Sequence, residues 1–192
     1  QMGEALTAKV YADLINSLQL KKIQIFDPHS DVTPALLNNC KIISNHAFIQ
    51  AVIKNIKEEI VLTAPDAGAS KKVYALSKSL GGKTVIECTK KRNTATGELS
   101  GFQVHADDLK GKNCLIVDDI CDGGRTFLGL AEELKKKNAG RLYLAVSHGI
   151  FSRGFEELKQ YFEHIFTTDA FCDLEEITGV TQIKLMNIMN NE

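Results

Sequence analysis

Residues 115–126 read "LIVDDICDGGRT". Four features there bear on chemistry: an apolar run, the paired acids Asp118 and Asp119, a short loop with Gly123 and Gly124, and Arg125–Thr126 opening a helical pattern. Glycines let a backbone pass close to a ligand. The first N–H groups of a helix, with its positive dipole end, favour an anion, most often phosphate. Thr126 can add a hydroxyl and Arg125 a cation. Phosphate would repel Asp118 and Asp119, so these face something else: the hydroxyls of a vicinal diol, or Mg²⁺. A phosphorylated ribose satisfies both demands. The structural alternative is that Asp122 caps the helix.

Further polar residues follow other apolar runs. Asp27 and His29 follow "KKIQIF", Asp66 follows "IVLTAP", Lys90, Lys91 and Arg92 follow "KTVIECT", and His148 ends "RLYLAVSH". His148 reads equally as a core histidine or a phosphate contact.

Elements must bring these residues together. Apolar runs of strand length alternate with helical patterns at residues 45–56, 70–81 and 125–140. The Gly81–Gly82 pair ends the second. The alternation predicts an α/β fold, a mainly parallel sheet with helices on both faces. Right-handed crossovers put the strand C-termini on one edge, so five strand ends converge on one crevice. A further helix is expected at 153–162 and closing strands at 164–169 and 181–188. The stretch "TKKRNTATGELSG" is polar and poor in anchors, and a flexible loop is expected there.

With 192 residues the chain suffices for one sizeable domain or two small ones, and its formal net charge of -1 gives no overall basic field for nucleic acid. Five cysteines without a C-x-x-C pair, mostly in apolar runs, read as buried reduced thiols of a cytoplasmic protein. No apolar run approaches the ~18 residues of a membrane span.

At the glycine loop the sequence resembles the PRPP-binding signature of the type I phosphoribosyltransferase fold. Other segments resemble the ribose-phosphate diphosphokinases (PRPP synthetases): "GEALTAKVYADLI", "FDPHS" for D-L-H, "TAPDAGAS" for P-D-A-G-G, "TKKRNTATGEL" for the catalytic loop and "VSHGIFSRG" for A-T-H-G-x-F-S. The resemblance covers most of the chain and implies transfer of diphosphate from ATP to the C1 hydroxyl of ribose 5-phosphate, giving PRPP and AMP. It implies Mg²⁺ held by His29 and Asp66, and catalytic roles for His29, Lys90 and Arg92, with Lys91 replacing Lys90 if the alignment slips by one. It further implies a mobile loop at 89–99, ribose 5-phosphate on Asp118, Asp119, Asp122, Gly123, Gly124, Arg125 and Thr126, and a homo-oligomer. The chain resembles the C-terminal two thirds of such an enzyme, without the R-Q-D and F-x-x-G-E elements that hold ATP. Arg125 stands where the family has glycine, which implies an altered 5′-phosphate pocket or a larger 5′ substituent such as ADP-ribose. A phosphoribosyltransferase using PRPP and a base, and a non-catalytic regulatory homologue, are the alternative expectations.

Overall fold

The computed structural model describes residues 6–92 and 99–189. The elements in chain order are α1 (Thr7–Ser17), β1 (Ile23–Phe26), α2 (Val32–Leu36), β2 (Cys40–Ile43), α3 (His46–Ile56), β3 (Ile60–Ala64), α4 (Ala67–Ser79), β4 (Val85–Arg92) and β5 (Leu99–Val104). They continue with β6 (Asn113–Cys121), α5 (Arg125–Lys136), β7 (Leu142–Gly149), α6 (Glu156–Lys159), β8 (Phe162–Thr168), β9 (Val180–Ile183) and α7 (Leu185–Met189).

Seven strands form the main sheet in the order β5-β4-β3-β6-β7-β8-β9. Every neighbouring pair is parallel except β4 with β5. Alternation along the central strands divides the core. Cys114 and Ile116 of β6, with Leu142, Leu144 and Val146 of β7, pack with Phe127, Leu130 and Leu134 of α5. Leu115 and Val117, with Tyr143 and Ala145, pack on the other face with Phe48, Ile49 and Val52 of α3 and Val73 and Leu76 of α4. Side chains of a strand point alternately to opposite faces, so strands buried on both sides read as near-continuous apolar runs. The expected fold class is what the chain adopts.

The chain builds outward from the middle of this sheet, β3 to β5 on one side and β6 to β9 on the other. The strand order therefore reverses between β3 and β6, and open parallel sheets bind ligands at such a point.

Four local expectations are corrected. First, β1 is not a strand of the main sheet; it pairs in parallel with β2 alone. Second, part of the expected loop is a hairpin, since β4 continues to Arg92 and pairs with β5 through Lys90–Phe102 and Lys91–Gly101. Phe102 anchors that hairpin on α5 at Gly129, where a β-carbon would sit 2.6 Å from the ring. Residues 93–98 of the expected loop lie outside the described residues. Third, the helix expected at 153–162 shrinks to α6, because buried Phe162 already belongs to β8, opposite Leu142. Fourth, β9 ends at Ile183, and Asp169 accepts a hydrogen bond from the Leu185 N–H at 2.6 Å to start α7.

All five cysteines are free thiols. Burial pushes Cys88 and Cys121 up to about 12 and Cys114 up to about 11, so these three are inert at neutral pH. No helix among the described residues is long and apolar enough to cross a membrane.

Candidate functional site

A cleft of about 700 Å³ opens at the reversal between β3 and β6. Among the residues lining it are His29, Asp66, Lys90, Asp118, Asp119, Asp122, Gly123, Gly124, Arg125 and Thr126. The structure thus brings these ten sequence-predicted residues together, whereas Asp27 and His148 do not line the cleft and the side chain of Lys91 lies outside the described residues. The side chain of Arg92, too, lies outside the described residues.

The glycine loop joins β6 to α5. The N-cap of α5 is Gly124, in left-handed conformation at φ +75°, with no side-chain capping bond. The capping alternative for Asp122 is therefore not what the chain adopts. The N–H groups of Arg125 and Thr126 have no acceptor among the described residues. This is the anion-binding end of a helix, left open. The two glycines have different reasons to be small. A β-carbon on Gly124 would meet Leu158 at 3.2 Å, whereas one on Gly123 would lie 3.5 Å from the Arg153 side chain.

The acidic side of the cleft is a network. Lys72, from α4, donates to Asp27 Oδ1 at 3.1 Å, to Asp119 Oδ2 at 2.8 Å and to the Pro28 carbonyl at 2.7 Å. The other oxygen of Asp119 accepts from His29 Nδ1 at 3.0 Å. A carboxylate only accepts, so Nδ1 carries a proton, and Nε2 is a lone-pair donor whenever the ring is neutral. Asp27 is buried at φ +39°, and its second oxygen takes Asn45 Nδ2 at 3.0 Å and Ser147 Oγ at 2.5 Å. His148 Nε2 lies 3.2 and 3.1 Å from the carbonyls of Phe26 and Asp27. That settles its two readings in favour of the structural one: it ties the end of β1 to β7. These bonds hold His29 over the main sheet although β1 lies outside it.

The adjacent acids differ. Burial raises Asp118, and the charges of Asp119 and Asp66 add to it, pushing its carboxyl up to about 7 against the bond from the Asp119 N–H. Burial would raise Asp119 too, but Lys72 and His29 outweigh it and hold that carboxyl below its ordinary value. Asp66 behaves like Asp119. Lys90 at 2.6 Å and the Ala69 N–H at 3.1 Å overcome its burial, and its carboxyl is lowered.

No group of three or more metal-ligating side chains occurs among the described residues. His29 Nε2 and Asp66 are a sparse donor set. Such a set fits Mg²⁺ arriving with a polyphosphate, because Mg²⁺ keeps waters and takes one or two protein ligands beside phosphate oxygens.

Two cleft residues, Lys72 and Arg153, escaped the sequence reading. Lys72 lies three residues after Ala69 on α4, hence on the same helix face, and that spacing was a usable signal. Arg153 sits in an irregular turn after β7, where the sequence pattern suggested only the start of a helix.

Known proteins resemble this chain in sequence and in fold. The ribose-phosphate pyrophosphokinase of Mycoplasmopsis pulmonis (strain UAB CTIP) is 26% identical over 188 residues, covering 96% of this chain and 58% of that protein. That of Vibrio cholerae serotype O1 is 27% identical over 203 residues, covering 96% and 60%. The crystal structure of phosphoribosylpyrophosphate synthetase from Mycobacterium smegmatis superposes with a TM-score of 0.82 at 22% identity, covering 98% of this chain and 63% of that one. The chain thus spans less than two thirds of each of these relatives. The family described as "Phosphoribosyl transferase domain" matches residues 35–177, and the chain belongs to that family, in the type I fold its motifs resemble.

Proposed function

We propose that this cleft serves a ribose-phosphate diphosphokinase, which moves the β,γ-diphosphoryl group of ATP to the C1 hydroxyl of ribose 5-phosphate. The C1 oxygen bonds to the β-phosphorus, the bond from that phosphorus to the AMP oxygen breaks, and the hydroxyl proton is lost. PRPP and AMP result. The observation that carries the reading is Lys90, delivered by β4 to the same cleft as the open glycine loop, opposite Asp66. A sugar-phosphate site alone has no use for that lysine, whereas a diphosphoryl transfer does.

In this reading the N–H groups of Arg125 and Thr126 hold the 5-phosphate, with Gly123 and Gly124 allowing the approach. Asp118 and Asp119 face the ribose hydroxyls. Asp119 is kept ionised by Lys72 and His29, while Asp118, near neutrality, can accept or share a proton. Lys90 meets the charge that develops on the transferred group, and Arg92 and the loop 89–99 are proposed to assist it. His29 and Asp66 would hold Mg²⁺, which when bound neutralises the polyphosphate. Asp122 and Arg125 are exposed, so a larger 5′ substituent, that of ADP-ribose included, extends outward without leaving its C1 misplaced.

The test is incubation of the full-length protein with MgATP and ribose 5-phosphate. AMP and PRPP should appear in equal amounts, and their absence refutes the reading. The second reading, a phosphoribosyltransferase, is favoured by the family match and the G-R-T of the loop. It predicts diphosphate release from PRPP that depends on a base and not on ATP.

A further inference from the structure

The cations of the cleft fall into two kinds. Lys72 and Lys90 are engaged by Asp27, Asp119 and Asp66. Arg125 and Arg153 line the same cleft with no hydrogen bond or ion pair among the described residues. They come from different elements, the first turn of α5 and the turn after β7, and meet at the glycine loop. The Arg153 stem runs along Gly123: a β-carbon there would lie 3.5 Å from its Cδ and 3.6 Å from its Nε. Gly123 therefore leaves room for this arginine as well as for a ligand.

A single 5-phosphate has donors enough without them: the N–H groups of Arg125 and Thr126 and the Thr126 hydroxyl. Two guanidiniums, each a rigid fork of five donors, exceed that demand. Neither guanidinium is ion-paired among the described residues, and Asp122 is the carboxylate of the same loop that lines the cleft with them. A second phosphoryl group cannot turn toward the other side, where Asp66, Asp118 and Asp119 stand. It must lie on the outer side of the loop.

We propose that Arg125 and Arg153 form a second anion subsite beside the glycine loop, and that the acceptor sugar carries a 5-diphosphate group. This rests on the loop being the 5-phosphate cradle; it does not require that diphosphoryl transfer occur.

Calorimetry on the purified protein, without nucleotide, tests it with ribose 5-phosphate, ribose 5-diphosphate and inorganic phosphate. The diphosphate should bind about tenfold tighter than the monophosphate, as an added charge-assisted fork would give. Arg153→Ala and Arg125→Ala should each remove most of that preference, and Arg153→Lys, which keeps the charge but not the fork, should remove part of it. Equal affinity for the two sugars overturns the proposal, as does a preference that survives both alanine variants. It is also overturned if inorganic phosphate binds alongside ribose 5-phosphate in an Arg153-dependent way while the diphosphate shows no preference, since the arginines would then serve a free anion. A preference lost in the variants, in a protein that forms no AMP from either sugar, upholds the subsite and discards the transfer.

Discussion

The two sides of the cleft handle charge in opposite ways. On the acidic side Lys72 and Lys90 are matched to Asp27, Asp119 and Asp66, and buried groups such as Asn45 and Ser147 complete the network. On the glycine-loop side Arg125, Arg153 and two helix N–H groups stand unmatched among the described residues. Preorganised groups cost little reorganisation when a ligand arrives, but a matched pair must open before either member can serve. The loop side is therefore ready for an anion. The acidic side must exchange at least the Lys90–Asp66 pair for contacts with the ligand.

That exchange gives the largest expected effect. Lys90→Ala should lower turnover by about 10²–10³, the loss seen when one donor to developing charge is removed. Affinity for the sugar should change only slightly, because in this scheme Lys90 leaves Asp66 for the transferred group only late in the reaction. Parallel losses in binding and turnover would make Lys90 a binding residue and end the comparison on that side.

Stability should separate the sides next. Lys72→Met leaves Asp27 and Asp119 without their shared cation, one of them 4% exposed, and should cost about 2–3 kcal/mol in denaturant unfolding. Arg125→Ala removes an exposed, unpaired charge and should stay within about 0.5 kcal/mol. Similar costs for the two would mean that the network is no more structural than the loop.

The sequence showed the loop side better than the acidic side, for a physical reason. The loop is local: an apolar strand, two glycines and a helix start within twelve residues announce an anion site by themselves. The network is assembled from Asp27, Asn45, Lys72, Asp119 and Ser147, residues distant in the chain, and apart from Asp119 each alone reads as a solvated side chain or a turn former. The sheet was legible because each buried strand is an unbroken apolar run and each long helix keeps its period. The β1–β2 pair was not, since "CKII" is too short to stand out and nothing local says which sheet a strand joins. The β4–β5 hairpin was missed because its anchor, Phe102, depends on Gly129 across the fold.

Within the loop itself, the two glycines allow a finer contrast. Gly124→Ala forces a side chain into a left-handed backbone 3.2 Å from Leu158 and should cost about 1–2 kcal/mol. Gly123→Ala meets Arg153 at an ordinary 3.5 Å and should be nearly silent in unfolding. Equal destabilisation would show that the room beside Arg153 is structural.

A comparable effect, with opposite signs at neighbouring residues, concerns pH. Asp118 is raised to about 7 in the folded protein from an ordinary 3.8. Below that ordinary value both states hold the proton and Asp118 contributes nothing. Between about 4 and 7 the folded state binds the proton more tightly, so stability falls as pH rises, and above 7 the full penalty applies. Asp118→Asn removes the penalty while keeping an oxygen that can accept from the Asp119 N–H in β6. The variant should therefore match the parent near pH 4 and exceed it by about 1–2 kcal/mol at pH 8, less than the full shift implies because the cleft admits water. Asp119 runs the other way. Its lowered carboxyl contributes stability above the ordinary value that is lost as pH falls, so Asp119→Asn should destabilise at pH 8 and converge with the parent in acid. Thermal unfolding of the two variants at pH 4, 6 and 8 reads both signs. If both lower the midpoint at pH 8, Asp118 is a structural carboxylate like its neighbour, and the cleft has no group poised near neutrality.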